Sequence, residues 1–157
     1  MTSKTARRGA RELALQTLYA WQLAGGEAAD LLAQAATAQD YALADRALLE
    51  ALVRGVIGRA ADLEALIAPC LDRSFASLSP VERAVLYIGA FELSAEPRTP
   101  VKVVINEAIE IGKSYGGTGG HKFVNGVLEK LAAAVRPAEL ARAGRRTAAA
   151  TCPPNSS

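Results

Sequence analysis

The chain has 157 residues and a mass of 16.4 kDa, is half hydrophobic but only 5% aromatic, and carries a formal net charge of +2. That is enough chain for one domain with a buried core. The uncharged apolar run from Ala84 to Phe91 is far too short to cross a bilayer, and two distant cysteines, Cys70 and Cys152, with a single histidine, His121, argue against a disulfide framework and a His/Cys metal site. The basic N-terminus lacks the apolar segment of a signal peptide, and the cysteine usage suits a reducing compartment, so a cytoplasmic location is expected.

Helical periodicity predicts seven helices, at about 5–24, 28–38, 42–60, 62–72, 80–94, 101–115 and 121–135. The first opens on Lys4, Arg7, Arg8 and Arg11, all before the first acid, Glu12. At 100° per residue these four project within an arc of about 100°. Cations at a helix N-terminus oppose its dipole by about 0.3–1 kcal/mol per exposed charge. Two accounts fit: a polyanion ligand drawn to this face, or an ordinary basic terminus. In the third helix Leu43, Ala47, Ala51, Leu52 and Val56 recur at helical spacing.

Ser79-Pro80-Val81-Glu82 is a capping box with proline at the first helical position, and Thr99-Pro100 opens the next helix. Val101, Val104, Ile105, Ala108 and Ile109 form its apolar stripe, and Gly116-Gly117 supplies a stop. The last helix has the stripe Val124, Val127, Leu128, Leu131 and Val135. Phe123 falls about 100° from the centre of that stripe, with Lys130 on the same flank. It is either a base-stacking platform or a cover for the seam between two bundles. Short connections predict an all-α domain over residues 1–136, built from helical sub-bundles at about 5–75 and 76–136. Residues 137–157 have no long apolar stripe and are expected to form a disordered basic tail.

No catalytic constellation assembles. Gly112-Lys113-Ser114 ends like a phosphate-binding loop, but Glu107 stands where that loop needs a glycine and no strand precedes it. Glu107 and Glu110 read as solvated or structural carboxylates.

Larger blocks resemble a known family. Arg7-Arg8-Gly9-Ala10-Arg11-Glu12-Leu13-Ala14-Leu15-Gln16, then Ser79-Pro80-Val81-Glu82-Arg83-Ala84-Val85-Leu86 with Phe91-Glu92-Leu93, resemble the NusB transcription antitermination factors. The likeness is closest across Pro100-Val101-Lys102-Val103-Val104-Ile105-Asn106-Glu107-Ala108-Ile109-Glu110 and His121-Lys122-Phe123-Val124-Asn125-Gly126-Val127-Leu128. It implies an all-helical fold of two packed sub-bundles that binds the single-stranded boxA element of nascent ribosomal RNA. It also implies a complex with the small-subunit ribosomal protein acting as NusE, joined by other Nus factors and RNA polymerase. The complex suppresses termination and aids ribosomal RNA maturation, without enzymatic activity or cofactor. By position, Lys4, Arg7, Arg8 and Arg11 would contact RNA, as would Lys122, Phe123 and Asn125, while Tyr19 and Glu82 would face the ribosomal protein. Some relatives are homodimers, so self-association is a further reading. A partner module for a ribosomal RNA methyltransferase is another.

Three departures stand out: Gly119 replaces an acid common in relatives, Gly9 interrupts the arginines and predicts an adaptable arm, and the tail lies outside the pattern. Residues 1–11 and 136–157 are both net basic, whereas 12–135 are net acidic. An acidic body suits a basic protein partner, while the N-terminus reaches for phosphate.

Overall fold

The computed structural model describes residues 4–115 and 120–142. Every regular element among them is helical: α1 (Lys4–Ala24), α2 (Ala28–Ala35), α3 (Arg46–Gly58), α4 (Ala60–Ile67), α5 (Pro80–Ala95), α6 (Val101–Tyr115) and α7 (Gly120–Val135). Short 3-10 turns lie at Tyr41–Leu43, Ala68–Cys70 and Phe75–Ser77.

The boundaries follow local chemistry. The capping box is made in full, with the Glu82 amide donating to Ser79 Oγ (3.1 Å) and the Ser79 amide to Glu82 Oε1 (3.0 Å). The third helix starts later than periodicity predicts, because Asp45 caps it by accepting from the Leu48 amide (3.1 Å). The fourth ends earlier, at Ile67, where Pro69 removes an amide donor and the chain tightens into a 3-10 turn.

Helix α5 is the centre of the molecule. Ten consecutive residues, Ala84 to Leu93, are buried, and the helix packs on α1, α3, α4, α6 and α7. The buried core therefore runs without a break across the expected sub-bundle boundary. Two glycines permit the closest approaches. A Cβ on Gly55 would collide with the Phe91 ring, and one on Gly89 would lie 2.8 Å from Leu128. Tyr87 of α5 meets Trp21 and Phe75 edge-on, at ring separations of 6.1 and 5.2 Å.

Polar pairs set the helix directions. Arg11 meets Glu92 and Gln22 meets Arg83, so α5 runs antiparallel to α1. Arg8 meets Glu107 and Gln16 meets Tyr115, a constant register, so α6 runs parallel to α1.

Two expectations are corrected. Gly9 does not loosen an arm: it lies inside α1, 3.7 Å (to an added Cβ) from Ala44, and the Asp45 amide donates to the Ala6 carbonyl (2.9 Å). The ordered domain also continues past 136. Residues 137–142 are helical, Leu140 packs on the core, and Arg136 is buried. All five of its N–H groups are used, on the carbonyls of Glu92 (2.8 Å), Leu93 (2.8 Å), Glu96 (2.7 Å) and Thr99 (2.6 Å) and on Glu139 (2.9 Å). Glu139 in turn accepts from the Val101 amide at the start of α6 (2.8 Å). The remaining tail expectation, over 143–157, and the Gly116–Gly119 loop lie outside the described residues.

Candidate nucleic-acid interface

The four N-terminal cations divide into two kinds. Lys4 and Arg7 are exposed, and neither makes an ion pair among the described residues. Arg8 is partly exposed and clamped by Glu107, with Nε at 3.1 Å and Nη2 at 2.7 Å from the two carboxylate oxygens. Its Nη1 makes no hydrogen bond among the described residues. Arg11 is 3% exposed and forks onto Glu92 at 2.8 Å through each of two nitrogens, with Glu107 3.6 Å away.

Arg11, expected from the sequence among the RNA contacts, is thus turned inward and paired within the fold. The arc that carries the cations is the same arc that α5 and α6 cover one turn later, where Ala14, Leu15 and Leu18 are buried. Within the first two turns of α1, Lys4, Thr5 and Arg7 are exposed, while Ala10 and Arg11 are buried. Lys4, Thr5, Arg8 and Glu12 line a shallow depression at that end of the helix.

Glu107 and Glu92 thus neutralise Arg8 and Arg11 within the fold. The Arg8 guanidinium bond, reinforced by the charges of Arg8, Arg11 and Lys4, holds the Glu107 carboxyl below the ordinary glutamate range against the opposing effect of its burial. The same bond raises Arg8 above the usual arginine value. For Arg11, burial works against the charge and the fork to Glu92 outweighs it. A lowered native pKa means that the unfolded state binds more protons on acidification. The stability from Glu107 is fully present above the unfolded value of about 4.3 and is lost as pH falls through the lower native value. Thermal melts between pH 6 and pH 3 should show a shallower acid loss in Glu107→Gln than in the parent chain. Parallel curves would contradict the assignment.

The second candidate element opens α7. Lys122 is exposed, while Phe123 and Asn125 are half-buried. Phe123 packs against the core edge and also carries the Arg73 guanidinium over its ring, 4.6 Å from the centroid. It thus covers the junction and keeps a polar stacking partner. Arg73 was not singled out in the sequence, because the contact joins segments fifty positions apart.

Arg7 lies nine residues before Gln16, which bonds Tyr115 at the end of α6, an axial distance of about 14 Å along α1.

A third surface lies at the other end of α1. Gln22 donates to the Pro80 carbonyl (2.9 Å) and accepts from Arg83 Nε (2.8 Å), which brings Tyr19 and Glu82 to the same end. Tyr19 and Leu23, one turn apart, are 39% and 62% exposed, a small apolar patch that sequence periodicity alone did not reveal. Among the described residues no helix is long and apolar enough to cross a membrane, and no cluster of His, Cys, Asp and Glu suits a metal.

The NusB family model matches residues 8–133. The transcription antitermination protein NusB of Burkholderia cenocepacia (strain HI2424) is 53% identical over 136 residues, spanning 87% of this chain and 94% of that protein. The protein of the same name from Nitrosomonas eutropha is 51% identical over 137 residues, spanning 87% and 82%. Among solved structures, T. maritima NusB superposes with a TM-score of 0.73 at 28% identity, over 89% of this chain and 99% of that one. A structure of the antitermination factors NusB and NusE in complex with dsRNA matches with a TM-score of 0.73 at 26% identity, over 84% and 99%.

Proposed function

The chain belongs to the NusB family, and on that footing we propose that it is an RNA-binding transcription antitermination factor working with the ribosomal protein NusE. The observation that carries the RNA-binding part is the pair of exposed cations, Lys4 and Arg7, which make no ion pair among the described residues and stand at the N-terminus of α1, where folding alone would favour acids. Phosphates are drawn both to those side chains and to the helix dipole. Arg8 contributes through its remaining nitrogen, and Lys122, Phe123 and Asn125 form the second contact, at the start of α7. The target is the boxA element of ribosomal RNA leaders. The protein acts by binding, without catalysis or cofactor, in the cytoplasm, and joins other Nus factors on RNA polymerase.

Tyr19, with Leu23 beside it, and Glu82 form the face for NusE. Glu82 closes the capping box through Oε1, and its second carboxylate oxygen can accept from a partner while the cap stays closed.

A solved NusB–NusE relative carries double-stranded RNA. A stacking aromatic and unpaired cations suit single-stranded RNA, whose bases are free to splay. The salt dependence of binding tests the division of charges. With single-stranded RNA the logarithmic slope is about −0.7 per phosphate neutralised. Lys4→Ala and Arg7→Ala together should make the slope shallower by about 1.4, since neither cation makes an ion pair among the described residues. Arg8→Ala should change it less, because Glu107 already offsets that charge. Equal changes at Arg7 and Arg8 would overturn this reading of the N-terminus.

A further inference from the structure

The segment between α4 and α5 places Arg73 over the ring of Phe123 at 4.6 Å. The Arg73 side chain is 51% exposed, so the stack ends in a planar cation open to solvent. Asp72 Oδ1 accepts from Arg73 Nε at 2.8 Å, so a carboxylate occupies that edge of the guanidinium. Beside the ring, on the α7 stripe that runs from Phe123 through Gly126 to Lys130, Gly126 leaves a bare step. A Cβ there would meet nothing within 4 Å. The result is a flat, open surface with a stacked cation on one side and no side chain on the other.

Arginine guanidinium planes and aromatic rings are the two surfaces on which proteins stack unpaired RNA bases. Resting on the RNA reading above, we propose that Arg73 is a base-stacking residue, forming the outer layer of a Phe123–Arg73 platform that receives an unpaired base. The Asp72 carboxylate at its edge repels phosphate there, so the guanidinium offers its plane. The platform contributes affinity with little salt dependence, in contrast to Lys4 and Arg7. The planar group is essential, since an ammonium has no face to stack.

The test titrates a fluorescein-labelled single-stranded RNA carrying boxA with the full chain bound to the ribosomal protein. Arg73→Ala, Arg73→Lys and Phe123→Ala are compared over a salt series. Arg73→Ala is expected to bind about tenfold more weakly with an unchanged salt slope, and Arg73→Lys to restore nothing. Arg73 is on the surface, so melting curves should match the parent. Rescue by lysine with a slope recovered by about 0.7 would make Arg73 a phosphate contact and overturn the proposal. Unchanged or tighter binding by Arg73→Ala, with Phe123→Ala still weak, would make Arg73 a cover over the ring and overturn it while leaving the RNA reading standing. Failure of the parent complex to bind the RNA at all would overturn both.

Discussion

Replacing Arg11 by alanine should destabilise the protein by about 3–5 kcal/mol, the cost of breaking a buried ion pair and leaving its partner charge uncompensated. The reason lies in the geometry. Arg11 forks onto both oxygens of Glu92 at 2.8 Å, both side chains are almost wholly buried, and Glu107 stands 3.6 Å from the same guanidinium. For a chain of this size the melting temperature should fall by roughly 10 °C. Arg11→Lys should recover little, because an ammonium cannot reproduce the two parallel bonds. Replacing the pair together, Arg11→Met with Glu92→Leu, should cost far less than either single change, since buried ion pairs are commonly matched by apolar residues of similar volume. Calorimetry of the four proteins measures this directly. An Arg11→Ala chain that melts like the parent but binds RNA poorly would show that Arg11 faces the ligand instead.

Arg136→Ala should have an effect of similar size. One guanidinium holds the carbonyls of Glu92, Leu93 and Glu96 at the end of α5 and that of Thr99 before α6, and it fixes Glu139, which caps the Val101 amide. Helix ends leave carbonyls and amides that need partners. Removing the arginine leaves several of them unmet at about 1–3 kcal/mol for each one that stays buried, and water reaches only some. A total loss on the order of 3–5 kcal/mol is expected, and truncation after Val135 should reproduce it. Arg136→Lys should fall between, with three donors in place of five. Amide exchange at Val101 should quicken in the alanine variant. A truncated chain as stable as the parent would refute a structural role for residues 136–142.

These two arginines also mark where sequence reasoning reached and where it stopped. The capping box and the apolar stripes of α6 and α7 are local signals of spacing and type, and the helices form where they predict. The direction of Arg11 was readable in principle. Ala14, Leu15 and Leu18 lie on the same arc, and Glu92 is the one charged residue within the apolar run from Ala84 to Leu93, which proves buried throughout. Overlaying the basic arc on the apolar one would have turned Arg11 inward. Arg136 left no such trace. Its segment docks through hydrogen bonds from one side chain to backbone carbonyls about forty positions away, and carbonyls have no sequence signature. The Arg73–Phe123 stack is hidden for the same reason, being purely a product of tertiary packing.

The N-terminus changes meaning as well. Four cations on one helix face suggest four phosphate contacts. The fold withdraws Arg11 completely and Arg8 in part, through Glu92 and Glu107. On the proposed RNA-binding reading, a smaller free charge lowers general attraction to nucleic acid and leaves more of the discrimination to the start of α7. The same reading links RNA affinity to the integrity of the fold, because the ion pairs that orient Arg8 and Arg11 join α1 to α5 and α6.

The most direct test of the account is a fluorescence titration of the chain, bound to its ribosomal protein partner, with single-stranded boxA RNA and a scrambled RNA of equal length and composition. The account predicts clear preference for boxA, a preference that weakens when the ribosomal protein is left out and when Phe123 is replaced by alanine. Equal affinity for the two RNAs with the partner present would contradict it.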